Sequence, residues 1–368
     1  MIRLTATFDQ SGYGNAARDT LLALVHAGLN VSTNMIVTPM SRQEAASCPG
    51  YDEVIKHLNP NAKAKVNIIE LIPPLWHYGL QKNTKNFGYF FWETDKIPAD
   101  WTKIINESIV DEVWVPCESN KRACLNGGVT KPVYVVPQYT KTNIVTEERA
   151  KQLLPIPGDA YKFYSIFQYT KRKNPEGLIN AYLSEFTAED NVMLVVKTYG
   201  PSSFSDRRWI KEAIQDMKAQ YEDAPPIFLF GELLKPEQVD AIHAQCQCYI
   251  HAGIGEGWNI PLIDAMAYNR QTITTKLGGI ADWIVDSSYV IPHTMVNVDN
   301  TGMPWGGFYT PDQKWGKVKT EEIQEAMRQA YNERNDFSWR TDKYKDILKI
   351  CDEKNVISLI KERLAKIL

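Results

Sequence analysis

The chain has 368 residues, 44% of them hydrophobic, which is more than one core usually takes and points to two domains. A formal net charge of -3 excludes a global basic footprint for non-specific polyanion binding and leaves only a local basic groove open. No apolar run approaches the roughly 18 residues of a membrane span, and residues 1–8 read as a first strand rather than a signal peptide, so a cytoplasmic protein is expected.

Strand-like and helical runs alternate along the chain, as in a parallel sheet covered by helices on both faces. The first strand, 2–8, leads into Ser11-Gly12-Tyr13-Gly14-Asn15 and then a predicted helix over 16–27, ended by Gly28. Further strands are predicted over 31–37, 66–69, 86–92, 112–115 and 133–136, with helices over 48–58, 101–108 and 119–126. Residues 1–139 form the first predicted domain. The stretch 140–158 loses strand character and carries Pro155, Pro157 and Gly158, which marks a linker. A second α/β series follows over 159–336, with strands at 162–167, 192–197, 227–230, 248–251 and 272–275 and helices at 176–186, 206–221, 236–244 and 261–268. The tail 337–368 reads as helices that cross back to brace the first domain, including one over 355–368.

The cysteines, Cys48, Cys117, Cys124, Cys246, Cys248 and Cys351, show no paired C-x-x-C spacing and read as free thiols. The histidines, His26, His57, His77, His243, His251 and His293, form no H-x-x-x-H pair, and no metal site is expected.

The most informative stretch runs from Gly255 to Met266 and sets two acids around a helix entrance. Pro261 suits a first helical turn, so Glu256 falls in the preceding loop and Asp264 about one turn inside. Glycines flanking Glu256 permit close backbone approach, and the open N–H groups of a helix start attract anionic or polyhydroxylated ligands. Taken singly, Glu256 reads as a loop charge and Asp264 as an acid that favours the helix N-terminus.

In order, Lys171-Arg172-Lys173-Asn174-Pro175-Glu176-Gly177-Leu178, Phe228-Leu229-Phe230-Gly231-Glu232-Leu233, the Gly255 to Met266 stretch and Leu277-Gly278-Gly279 resemble the retaining glycosyltransferases of family four. Phe90-Phe91-Trp92-Glu93 and Asp111-Glu112-Val113-Trp114-Val115-Pro116 extend the resemblance into the first half. It implies an α/β fold of two Rossmann-like domains facing across a cleft (GT-B), with acceptor bound by the first and nucleotide sugar by the second. The family's E-x7-E motif becomes E-x7-D here.

By resemblance Glu256 contacts donor-sugar hydroxyls and Asp264 the ribose, roles that suit acceptor-only carboxylates. The helix-entry residues Gly257, Trp258, Asn259 and Ile260 join them in donor binding. Arg172 and Lys173 would stabilise the leaving diphosphate, although a solvated basic face is the plain alternative and Gln168 stands where the family has arginine. Gly231, Glu232 and Leu233 resemble the segment that holds the base, with Tyr199 at the same domain edge.

Gly12 and Gly14 would approach the donor phosphate or simply make a tight turn, and Tyr13 and Glu93 are acceptor-side candidates. His251 would line the sugar pocket or pack at a strand end, and Trp305 and Trp315 would form a sugar platform or pack in the core. No D-x-D pair occurs, so the implied reaction is metal-independent. The resemblance implies no cofactor beyond the nucleoside diphosphate sugar, and the acceptor is a glycan or a hydroxymethylated base in DNA. A noncatalytic nucleotide-sugar or carbohydrate binding protein is the alternative.

Overall fold

The structure, a computed structural model, describes residues 1–9, 11–36, 51–140, 144–200, 208–284, 289–304, 306–336 and 344–365. Cys48, Trp305 and parts of the predicted elements 31–37, 48–58, 206–221 and 355–368 lie outside the described residues, as do 141–143 of the linker and 337–343 of the tail. The chain divides into two compact units, Met1–Lys141 with Leu348–Leu368, and Thr142–Ile347.

The first unit holds a six-stranded sheet of β1 (Ile2–Ala6), β2 (Val31–Met35), β3 (Val66–Glu70), β4 (Lys85–Tyr89), β5 (Glu112–Val115) and β6 (Val133–Val135), in the order β2-β1-β3-β4-β5-β6. Every pairing is parallel, with Ile2 opposite both Val31 and Val66, so the chain must return through crossovers, mostly helical. Leu4 and Ala6 on one face pack with Leu21 and Leu24 of the helix Gly12–His26 and with Val356, Ile357 and Ile360 of the helix Glu353–Ala365. Arg363 ties that last helix down, with its guanidinium 2.5 Å from Glu112 Oε1 and 3.3 Å above the Tyr134 ring.

The other face carries buried amides. Asn67 donates to Gly79 O at 2.8 Å and to Asn86 Oδ1 at 2.9 Å, under the 3-10 helix Pro73–Tyr78. Sequence pattern misplaces one boundary here: the helix predicted from 16 begins at Gly12, because the Ser11 hydroxyl caps it by accepting from Gly14 N at 3.1 Å. Gly12 and Gly14 thus sit in a first helical turn rather than a loop. A Cβ on Gly14 would stand 2.0 Å from Asp9 O, so chain packing alone requires that glycine.

The second unit holds β7 (Tyr161–Gln168), β8 (Val192–Tyr199), β9 (Ile227–Phe230), β10 (Cys248–His251), β11 (Gln271–Thr275) and β12 (Tyr289–Ile291), in the order β12-β11-β10-β7-β8-β9. Its pairings are also parallel, and the order is the doubly wound one in which the chain reverses direction between β7 and β10. An antiparallel hairpin, β13 (Thr294–Asn297) with β14 (Lys314–Lys317), follows. The stretch 140–158 is more structured than a linker, since Thr146 caps a helix Glu147–Leu153 that packs on the helix Pro236–Gln245. The five described cysteines are buried. Among the described residues no helix is long and apolar enough to cross a membrane.

Glu70, the last residue of β3, is fully buried, and neither carboxyl oxygen meets a partner in hydrogen-bond geometry. Burial pushes its pKa up to about 8; the Thr20 hydroxyl opposes the rise and Asp19 adds to it. Between the ordinary carboxylate range and pH 8 the unfolded side chain is ionised while the folded one keeps its proton, so stability falls as pH rises through that window. Glu70→Gln, which keeps the shape without the titration, is expected to flatten the fall in urea midpoint between pH 5 and pH 8. Equal slopes for the two proteins would refute the assignment.

Candidate functional site

β7, β8, β9, β10 and β11 all end at one edge of the second sheet, with Gln168 opposite Tyr199, Lys197 opposite Phe230 and Ile250 opposite Ile273. The gap between β7 and β10 is the reversal point where open α/β sheets bind ligands. Two loops meet there. After β7, Lys171–Lys173 make one 3-10 turn that ends at Asn174 in the left-handed conformation (φ 53°). After β10, Ile254 N donates to Arg172 O at 2.8 Å, and the Asn174 amide donates to Ala252 O at 3.1 Å. These bonds lace the basic turn to the acidic loop.

Glu256 is 7% exposed, and the Lys173 ammonium donates directly to its Oε2. Arg172 Nη1 lies 3.8 Å from Oε1 and donates to Gly255 O at 2.8 Å, while His251 Nε2 lies 3.5 Å from Oε2. Burial alone would raise the pKa of Glu256. Lys173, Arg172 and His251 more than reverse that and hold it at about 2, so the carboxylate is ionised at any working pH. Burial drives His251 the other way, down to about 3; Glu256 opposes this while Lys173 and Arg172 reinforce it, and the imidazole is neutral.

The acidic loop has little freedom. Gly279 N donates to Glu256 O at 2.9 Å, and a Cβ on Gly278, whose φ is +53°, would stand 2.0 Å from that same oxygen. From the other side Gly316 N, on β14, donates to Ile254 O at 2.7 Å. The helix Ile260–Ala267 begins where expected, with Pro261 in its first turn. Its cap is Asn259 in the left-handed conformation (φ 70°), whose Oδ1 accepts from Leu262 N at 3.2 Å and from the Tyr249 hydroxyl at 3.4 Å.

Trp258 Nε1, Asn259 Nδ2 and His251 Nε2 are all buried without a hydrogen-bond partner. Buried polar atoms are rarely left so, and these three fall around one loop. Asp264 sits one turn inside the helix and is half-buried. Tyr249 lies near both acids: burial raises its phenol, and Glu256 and Asp264 raise it further.

The remaining candidates fall in several places. Tyr199 ends β8 with the Lys197 ammonium 4.8 Å from its ring centre, and buried Gly231, half-buried Glu232 and exposed Leu233 follow β9. Gly257 N donates to Glu256 Oε1 at 3.1 Å, and Ile260 opens the helix. Trp315 is 3% exposed and packs against Tyr309 at 6.1 Å, which makes it core rather than a sugar platform. Gly12, Tyr13, Gly14 and Glu93 belong to the first unit, where the Tyr13 hydroxyl bridges Phe91 N and O at 3.0 Å each and Glu93 is half-buried.

Sequence reasoning missed β14 and the role of Asn174, because one acts through a long-range backbone bond and the other through a side-chain bond to Ala252 O, and neither leaves a local pattern. Gly253 is a legible signal in retrospect: a Cβ there would meet the His251 ring at 2.6 Å.

Residues 146–299, which span the basic turn, the acidic loop and the Gly278-Gly279 turn, match the family of glycosyl transferases group 1 and support that class of enzyme. No curated protein sequence matches the chain. Similar solved structures include sucrose-phosphate synthase from Thermosynechococcus elongatus (13% identity, TM-score 0.70, covering 99% of this chain and 98% of that one). Another is Anabaena HepE in complex with UDP and glucose (11% identity, TM-score 0.66, 99% of each chain). A third is the E. coli trehalose-6-phosphate structure bound with UDP-2-fluoro glucose (10% identity, TM-score 0.62, 100% of this chain and 99% of that one). The fold is therefore GT-B, with two Rossmann-like α/β domains.

Removing one partner of a buried ion pair leaves an uncompensated charge. Lys173→Met is expected to cost about 3 kcal/mol in urea unfolding, and the double variant Lys173→Met/Glu256→Gln less than the single one. Additive single effects would show that the two side chains are not coupled.

Proposed function

We propose that this protein transfers a sugar from a nucleoside diphosphate sugar to a hydroxyl acceptor, with retention of anomeric configuration and without a metal ion. The observation that carries this reading is the ionised, buried Glu256 in contact with Lys173 and near Arg172 at the reversal point of the sheet. A nucleotide sugar presents hydroxyl groups, which need an acceptor, next to a diphosphate, which needs cations. The site pairs those two chemistries within one ion cluster.

In this reading Glu256 receives hydroxyls of the donor sugar and Asp264 the ribose. Trp258 Nε1 and Asn259 Nδ2, buried without partners, donate to donor oxygens, as do the backbone N–H groups of Gly257 to Ile260 at the helix start. Gly231, Glu232, Leu233 and Tyr199 border the base. Tyr13 and Glu93 of the first unit are the acceptor-side residues. As the bond from the anomeric carbon to the phosphate oxygen breaks, its electron pair passes to the diphosphate, which Arg172 and Lys173 stabilise. The acceptor oxygen attacks from the same face and its proton goes to the departing phosphate oxygen.

UDP in the HepE complexes and UDP-2-fluoro glucose in the E. coli structure make uridine diphosphate sugars the first donors to test. A glycan or a hydroxymethylated DNA base supplies the acceptor hydroxyl, and the reaction takes place in the cytoplasm.

The test offers a panel of sugar nucleotides with oligosaccharides and hydroxymethylated DNA side by side, read by mass spectrometry. Sugar transfer to one acceptor class is expected, and Lys173→Ala is expected to lower its rate at least about tenfold. Calorimetric binding with no turnover on any acceptor would replace the enzyme with a binding protein. An unchanged rate in Lys173→Ala would remove that residue from the site.

A further inference from the structure

Resting on the donor site proposed above, we infer that His251 is a positioning residue that exchanges with Lys173 on Glu256. When a diphosphate draws the ammonium away, the imidazole takes one proton from solvent, and its Nε2–H holds the carboxylate.

Both side chains address the same atom. Lys173 donates to Glu256 Oε2, and His251 Nε2 waits 3.5 Å from that oxygen with no hydrogen bond of its own. An unpaired buried polar atom costs free energy, which a bond from Nε2 to Oε2 would recover. The ring also has nowhere else to go. It is 3% exposed at the end of β10, and Gly253 lies so close that a Cβ there would collide with its Cε1 and Nε2 at 2.6 Å.

The charge arithmetic requires a substitute cation. Glu256 is buried and ionised, and a buried carboxylate that loses its main counter-charge is strongly destabilised. Arg172 is at 3.8 Å from the other oxygen and bonded to Gly255 O, so it does not fill the place on Oε2. The ionisable groups that face His251 are Glu256 from the acidic loop and Lys173 and Arg172 from the basic turn. In the resting protein burial and the two cations keep the imidazole neutral. Withdrawal of Lys173 toward a polyanion removes one of these cations and adds negative charge nearby, and both changes favour the imidazolium. The device keeps Glu256 fixed for the sugar while Lys173 serves the phosphate.

Two measurements test this. In the free protein, with 13C-labelled histidine and His251→Gln to assign the signal, the His251 resonance is expected to stay neutral from pH 5 to 9. In Lys173→Met, or in Lys173→Gln should the first variant fail to fold, its midpoint is expected to rise from about 3 to above about 5, inside that range. An identical titration with and without Lys173 overturns the exchange. Calorimetry with UDP, GDP and ADP on the full chain, in two buffers of different ionisation enthalpy at pH 6.5, is expected to show net proton uptake on nucleotide binding. That uptake should vanish in His251→Gln, and binding by the unaltered protein should tighten as pH falls from 8 to 6. Binding without proton uptake overturns the exchange and leaves the donor site standing. If no nucleotide binds, the donor reading fails, while the histidine titration still decides whether Lys173 and His251 share Glu256.

Discussion

The second unit is organised around the requirement that a buried negative charge be compensated. Glu256 has almost no access to water, so its ionised state rests on the ammonium of Lys173, helped by Arg172. Much of the local architecture follows from bringing those side chains together. The left-handed Asn174 ends the basic turn and donates to Ala252 O, while the bond from Ile254 N to Arg172 O ties the turn to the acidic loop. Gly278 lets the chain pass within contact of the Glu256 carbonyl, where any side chain would collide. β14 fixes Ile254 from behind. None of these features carries charge, yet each holds an atom on which the ion cluster depends.

The same edge of the sheet explains why such a cluster lies where it does. Parallel strands deliver their loops to one side, and the reversal between β7 and β10 opens a gap that neither crossover covers. The family match over 146–299 covers most of this unit, and the likeness to solved structures is one of GT-B fold. The first sheet is parallel too, but the acid at the end of its third strand is protonated rather than paired. Two buried carboxyls in one chain thus take opposite protonation states. The difference is whether a cation stands within reach.

Most of the fold was legible because parallel strands buried on both faces write themselves as short apolar runs. The predicted strands 227–230, 248–251 and 112–115 coincide with β9, β10 and β5. Boundaries fail where side chains set them: the Ser11 cap starts a helix four residues before the apolar periodicity does, and the Thr146 cap begins one inside an apparent linker. At the site, Glu256, Arg172 and Lys173 stand out by type and motif. The sequence does not convey that Lys173 and His251 address one carboxylate oxygen, because residues 83 and 5 positions away from Glu256 converge only through the sheet. β14 is illegible for the same reason, since its role is a single backbone bond.

The helix Glu353–Ala365 places Val356, Ile357 and Ile360 in the core built on β1 and β3. During synthesis the ribosome therefore releases the whole second unit before the first has its full apolar complement. The second unit is continuous in sequence and can close as soon as it emerges, but the first must hold a sheet face only partly covered by the helix Gly12–His26 for the time needed to make about two hundred further residues. The first unit is thus the last to finish folding, and the part of its β1–β3 face that awaits the helix Glu353–Ala365 is where chaperone dependence and aggregation should concentrate in the cell.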